Sequence, residues 1–224
     1  GNTILTLDKG QTLDLGGKTL TQSGQNRGII LKNGASIKNG VINHSGIIAA
    51  VRAWNVESIE NVTINLETPA SGTVTGIAVQ QYSNVGTIKN VTVTGAGVTQ
   101  AIEVPYQATV DLIEDVTVGN STAANGVALV INGGKVRKAK NCTFKGNAYG
   151  VTMHLKGVFN VGLELENCVV EGTTASIYAW DEKGISNTSG SLVLTYDAAT
   201  TLTGPFVWDF EDECESVVTL NKPQ

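Results

Sequence analysis

The chain lacks any apolar run approaching the ~18 residues that a membrane-spanning helix needs, so no membrane span is expected. No long segment carries apolar residues at helical spacing, which points to an all-β class. There is no C-x-x-C, and the three cysteines, Cys142, Cys168 and Cys214, cannot all pair within one chain. Neither a zinc motif nor a redox motif is therefore supported. Positive charge is not in excess: the formal net charge is −5, which argues against a nucleic-acid partner. No secretory signal stands at the start, and that leaves the compartment open. Methionine occurs once, against 26 glycines.

What is present is strand and turn chemistry. Val and Thr are abundant and favour strands, while Gly and Asn favour tight turns with positive φ. Hydrophobic residues make up 41% and charged residues 16%, a balance typical of a folded domain. The 224 residues suffice for one domain with a sizeable core.

One short pattern recurs: apolar, any residue, Asn or Asp, small apolar, Thr, apolar. It reads Ile59-Glu60-Asn61-Val62-Thr63-Ile64 and Ile88-Lys89-Asn90-Val91-Thr92-Val93. It continues as Ile113-Glu114-Asp115-Val116-Thr117-Val118 and Ala139-Lys140-Asn141-Cys142-Thr143-Phe144. Looser copies begin at Leu15, Ile37 and Leu165. The turn residue falls at 17, 39, 61, 90, 115, 141 and 167, in steps of 22, 22, 29, 25, 26 and 26. A near-constant step in this range is the signature of a solenoid. The bend must reach left-handed backbone geometry, which Gly adopts freely and Asn or Asp more readily than other residues. Stacked Asn side chains can then hydrogen-bond along the solenoid axis.

A second column precedes each bend: Ile29-Ile30-Leu31, Ile47-Ile48-Ala49, Ile77-Ala78-Val79, Ile102-Glu103-Val104, Val127-Ala128-Leu129, Val151-Thr152-Met153 and Ile177-Tyr178-Ala179. Outer members alternate around a variable middle, the period-2 mark of a half-buried strand. Cys142 and Cys168 share one repeat position and should stack inward on neighbouring coils as free thiols, a disulfide between them being the alternative if the side-chain torsion allows it. Thr63, Thr92, Thr117 and Thr143 should form an outward column.

With these coils in view, the chain resembles the pectin lyase-like superfamily of right-handed parallel β-helices. The residues that carry the resemblance are the opening Leu7-Asp8-Lys9-Gly10-Gln11-Thr12-Leu13-Asp14-Leu15-Gly16-Gly17-Lys18-Thr19-Leu20 and the repeated Asn-Val-Thr and Asn-Cys-Thr bends. It covers residues 3 to 182. The expectation is an all-β, single-stranded right-handed parallel β-helix of about 7–8 coils with a C-terminal cap. Residues 1–182 would form the coils, and residues 183–224 the last coil and cap of the same domain. Residues 190–199 would supply the last coil, and Pro205-Phe206-Val207-Trp208-Asp209-Phe210 the cap.

Fold does not imply function, because the superfamily includes lyases, hydrolases, epimerases, adhesins and phage tail proteins. Its catalytic motifs do not transfer. The arginines are Arg27, Arg52 and Arg137, with no aspartate cluster on the repeat, and the Asn-Thr-Asp, Asp-Asp, Gly-His-Gly and Arg-Ile-Lys segments of polygalacturonases are missing. In the enzymes of this superfamily the substrate groove runs along the outer face of the first sheet. On that face strand alternation would place Gln80, Glu103, His154, Tyr178 and Trp180, with Tyr82, Tyr106 and Asp181 just beyond the strand ends. Aromatic rings offer flat apolar faces with polar tips, and carboxylates and amides hydrogen-bond to hydroxyls, so this stripe suits a sugar. Glu103, His154 and Asp181 are the catalytic candidates, His154 as a general base. No cofactor is required, although Asp209, Glu211, Asp212, Glu213 and Glu215 offer oxygen ligands of the kind calcium takes.

The function expected is an extracellular, cell-surface or periplasmic protein that binds, and if an enzyme cleaves, a polysaccharide or oligosaccharide. Such an enzyme would resemble a polysaccharide lyase or glycoside hydrolase. The alternative is a structural or adhesive solenoid, phage tail-type included, without catalytic activity.

Overall fold

The computed structural model describes residues 4–23, 28–47, 49–67, 73–119, 121–156, 159–181, 190–210 and 218–222. Among these residues there are strands and turns and no helix. A first sheet stacks nine strands in chain order: Thr6–Leu7, Ile29–Lys32, Ala49–Trp54, Thr75–Val79, Gln100–Val104, Val127–Asn132, Tyr149–Leu155, Ala175–Asp181 and Phe206–Asp209. The remaining 14 strands form one sheet that folds along a bend. Ser36–His44, Val56–Leu66 and Asn84–Thr94 run unbroken through that bend, whereas later coils divide there, as Thr109–Glu114 and Thr117–Gly119 do. The parts before and after the bend act as a second and a third face. Every strand pair is parallel, each coil lying on the one before. This is a parallel β-solenoid, consistent with the right-handed coil expected.

All seven predicted bend residues have positive φ: Gly17 at 76°, Asn39 at 59°, Asn61 at 54°, Asn90 at 50°, Asp115 at 54°, Asn141 at 54° and Asn167 at 52°. The side chains of the six other than Gly17 are linked along the axis in two runs. Asn39 Nδ2 donates to the carboxylate of Asp14 (3.2 Å), Asn61 to Asn39 (3.1 Å) and Asn90 to Asn61 (2.8 Å). A second run begins at Asp115, which accepts from Asn141 (3.3 Å), and Asn141 accepts from Asn167 (2.9 Å). Each run therefore starts on a carboxylate, the residue that needs only to accept.

A further left-handed file occupies the turn from the first sheet to the second. It consists of Lys9, Asn33, Asn55, Tyr82 and Gln107, with φ between 49° and 60°, and Gly133 at 74°. The sequence does not reveal it, because six positions share a backbone conformation and not a side-chain type.

The core consists of like-with-like files between the sheets. Ile37, Ile59, Ile88, Ile113, Ala139 and Leu165 stack in register behind the bend. On the first sheet the inward file runs Ile29, Val51, Ile77, Ile102, Leu129, Val151 and Ile177. Two predicted triplets are corrected by this register. The third coil presents Val51-Arg52-Ala53, not Ile47-Ile48-Ala49, and the sixth presents Leu129-Val130-Ile131, not Val127-Ala128-Leu129. In both coils the strand reaches beyond an apolar stretch, and inter-strand hydrogen bonding, not local hydrophobicity, sets which residues pair.

Cys142 and Cys168 are free, buried and stacked in register, flanked by the pairs Lys140 with Glu166 and Thr143 with Val169. Cys142 Sγ donates to Lys140 O at 3.1 Å, so the thiol fits a valine-sized slot and adds a weak hydrogen bond. Thr63, Thr92, Thr117 and Thr143 form the expected outward column.

Leu192–Tyr196 supplies the strand expected within residues 190–199. The segment expected as a cap instead continues the solenoid. Phe206–Asp209 pairs in parallel with Ala175–Asp181, Phe206 opposite Ile177 and Trp208 opposite Ala179. Its alternating aromatic residues fall on inward positions, which is what makes it a strand. Asp209 ends that strand, while Glu211, Asp212, Glu213 and Glu215 lie outside the described residues.

Candidate functional site

The outer face of the first sheet carries two adjacent files. One runs Thr6, Ile30, Arg52, Ala78, Glu103, Val130, Thr152, Tyr178 and Val207. The other includes Asn132, His154, Trp180 and Asp209 in register. Glu103, His154, Tyr178 and Trp180 thus share one face, as the sequence predicts.

Toward the C-terminal coils the face is aromatic. Tyr149 stacks on Tyr178 at 5.7 Å, Tyr178 on Trp180 at 4.8 Å and Trp180 on His154 at 4.7 Å, with interplanar angles of 27°, 16° and 10°. Thr152 is buried beside them. Tyr178 and Trp180 each stack between two neighbouring rings. The phenol hydroxyls and indole N–H remain suited to sugar oxygens. His154 Nδ1 lies 3.1 Å from Asn132 Oδ1, which orients the imidazole.

Toward the N-terminal coils the face holds a concavity of about 470 Å³. Ala78, the smallest residue of its file, forms the floor. Arg52 lines it from one coil, Thr75 and Gln80 from the next, and Gln100 and Glu103 from the one after. Arg52 is fixed twice: Nη2 donates to Gln80 Oε1 at 2.6 Å, and the guanidinium lies 4.5 Å from the Trp54 ring centre. Glu103 is half-buried between Ala78 and Val130 in its file, and burial pushes its carboxyl above the ordinary value.

The other predicted residues lie apart. Tyr82 and Tyr106 occupy the turn that leaves the first sheet, where the Tyr82 N–H donates to Tyr106 O at 3.2 Å. Tyr82 is 68% exposed. Tyr106 stacks on Phe159 at 5.3 Å with Lys156 Nζ 4.8 Å from its centre. Asp181 pairs with Leu155 and is buried, on the opposite side of its strand from Trp180. Glu103 is two strands from the coil of His154, ~9–10 Å at the backbone, and the two fall in different files. The three catalytic candidates are therefore not brought together.

Sequence reasoning missed Arg52, Thr75, Gln100 and Tyr149. Arg52 was hidden by the misplaced third-coil triplet, since centring the strand on Val51 puts it in the Glu103 file. A second concavity, about 350 Å³, lies beyond the third face beside Lys145, Asn147, Glu171 and Thr173. Its charges are already paired, Lys145 to Glu171 at 2.9 Å, and Asn147 Nδ2 is bonded to Ala123 O at 3.0 Å. The first-sheet face has more to offer a ligand.

No family model, curated protein or solved structure matches this chain. The class defined by the fold is the parallel β-solenoid, and the resemblance to the pectin lyase-like superfamily rests on the coil pattern alone.

Proposed function

We propose that this chain is an extracellular, cell-surface or periplasmic β-solenoid that binds polysaccharide along the outer face of its first sheet. The observation that carries this reading is the continuity of that face. A concavity lined by a guanidinium, amides and a carboxyl shares the face with a row of Tyr, Trp and His rings, one strand intervening, all on one parallel sheet. Such a surface suits an extended chain of hydroxylated rings better than a compact ligand. Binding, not cleavage, is the activity proposed. Glycoside hydrolysis needs two facing carboxyl groups, and Asp181 is buried away from the face that carries Glu103.

A glycan array probed with wild type and with the Tyr178→Ala, Trp180→Ala double variant tests this, with circular dichroism to verify that the variant is folded. Wild-type binding to an extended glycan, reduced at least tenfold in the variant, is the expected result. Binding unchanged by the substitutions moves the site off this face. Wild type that binds no glycan leaves the structural or adhesive solenoid as the function.

A further inference from the structure

Elsewhere on the solenoid, several carboxylates are answered by neighbouring cations. Asp14 pairs with Lys38, Asp111 with Arg137, Glu114 with Lys89, Glu166 with Lys138 and Lys140, and Glu171 with Lys145. Glu103 is different. Among the described residues no hydrogen bond or ion pair reaches its carboxyl, its neighbours in the file are Ala78 and Val130, and burial is the cause that acts on its titration. A half-buried carboxyl without a donor is costly, and the cost falls when a ligand supplies one. This carboxyl also lines the concavity of about 470 Å³, far more space than an ammonium group alone needs.

The remaining walls narrow the choice. Arg52, Gln80, Gln100 and Thr75 are hydrogen-bonding groups for hydroxyls. Arg52 already donates to Gln80 and packs on Trp54, and a ligand carboxylate placed here would face Glu103. Arg52 lies two strands from Glu103, ~9–10 Å at the backbone, and is held by Gln80 and Trp54. A metal is not indicated, since no cluster of three or more ligating side chains occurs among the described residues.

We propose that the concavity over Ala78 is a subsite for an amino sugar with a free ammonium group. The ammonium sits on Glu103, and the ring hydroxyls face Arg52, Gln80 and Gln100. This rests on the first-sheet face being the glycan-binding surface, and it names the sugar class at one point along it.

Calorimetric titration at about pH 6, where such an amine is protonated, compares three probes: a glucosamine oligomer, its fully N-acetylated counterpart and an oligogalacturonate. Wild type is expected to bind the free-amine oligomer about tenfold more tightly than the acetylated one, the gain of one charge-assisted hydrogen bond. It should bind the oligogalacturonate more weakly than either. Glu103→Gln is expected to abolish the amine preference, so that it binds the free-amine and the acetylated oligomer equally. Should that variant fail to fold, Ala78→Leu, which fills the floor, must abolish the preference instead. Equal affinity of wild type for amine and acetylated oligomers overturns the subsite and leaves the glycan-binding face intact. An amine preference that persists in the folded variant also overturns it. Wild type that binds no glycan of the array removes the broader reading first, and the subsite with it.

Discussion

Two titratable side chains, half-buried Glu103 and buried His44, pull the pH dependence of stability in opposite directions. Burial raises the Glu103 carboxyl above its ordinary value of 4.5. Below that value folded and unfolded chains are both protonated there, and the group contributes nothing. As pH rises through it, the unfolded chain releases the proton while the folded chain retains it, so stability falls with pH. His44 is wholly buried, its Nδ1 2.9 Å from Gln22 Oε1, and burial lowers its pKa below 6.5. The unfolded chain therefore takes up a proton first as pH falls through 6.5, and stability declines on the acid side. Comparing Glu103→Gln with wild type isolates the first effect. The variant should melt higher than wild type at pH 7, and the difference should vanish below about pH 4. An equal difference at both pH values means that the gain does not come from the carboxyl's titration. Glu103 was legible as an outward residue because its triplet was centred correctly. Its missing partner was not, because that depends on residues from other coils.

At the scale of the element, the unit is the file, not the strand. A bend residue is repeated every coil because each side chain satisfies the next, and the break at Asp115 illustrates the rule. Asn90 Nδ2 donates to Asn61, but Asp115 has no N–H to offer the Asn90 carbonyl oxygen. Asp115→Asn should join the two runs, since the new amide donates to Asn90 and still accepts from Asn141. A rise in melting temperature of about 1–3 °C is expected by differential scanning calorimetry. A fall would mean that the carboxylate is needed where it stands. The glycines that leave the third face follow a related logic. An added Cβ at Gly172 would collide with the carbonyl oxygen of Ala175, so the corner admits no side chain there. The bend file was readable from sequence because left-handed geometry selects Asn, Asp and Gly. The turn file containing Lys9, Tyr82 and Gln107 was not, because there the neighbouring coils hold residues with no preference for that conformation.

For the whole molecule, stability is close to a sum of coil terms and coil–coil interfaces. Interior coils have two neighbours and terminal coils one, so protection should be graded along the axis. Amide exchange followed by mass spectrometry is expected to be slowest from Val56–Leu66 to Val161–Glu166 and fastest at Thr6–Leu7 and Val218–Asn221. Uniform protection along the chain would show that the solenoid opens as one cooperative unit instead. The same stiffness bears on the proposed function: a face built from parallel strands at fixed spacing holds its concavity and its ring row at a constant separation, as a binding surface for an extended chain requires.

The amino-acid sequence by itself determined the solenoid, the seven bends and the inward stack of Cys142 and Cys168. Each follows from a local preference repeated at a steady interval, and repetition makes a weak preference readable. Only the tertiary structure decided that Phe206–Asp209 is one more strand, that the aromatic rings stack on one another, and that Arg52 and Glu103 flank a concavity floored by Ala78. Those outcomes depend on the register between coils. Hydrogen bonding across neighbouring strands sets that register, and a shift of a few residues in one coil changes which side chains meet.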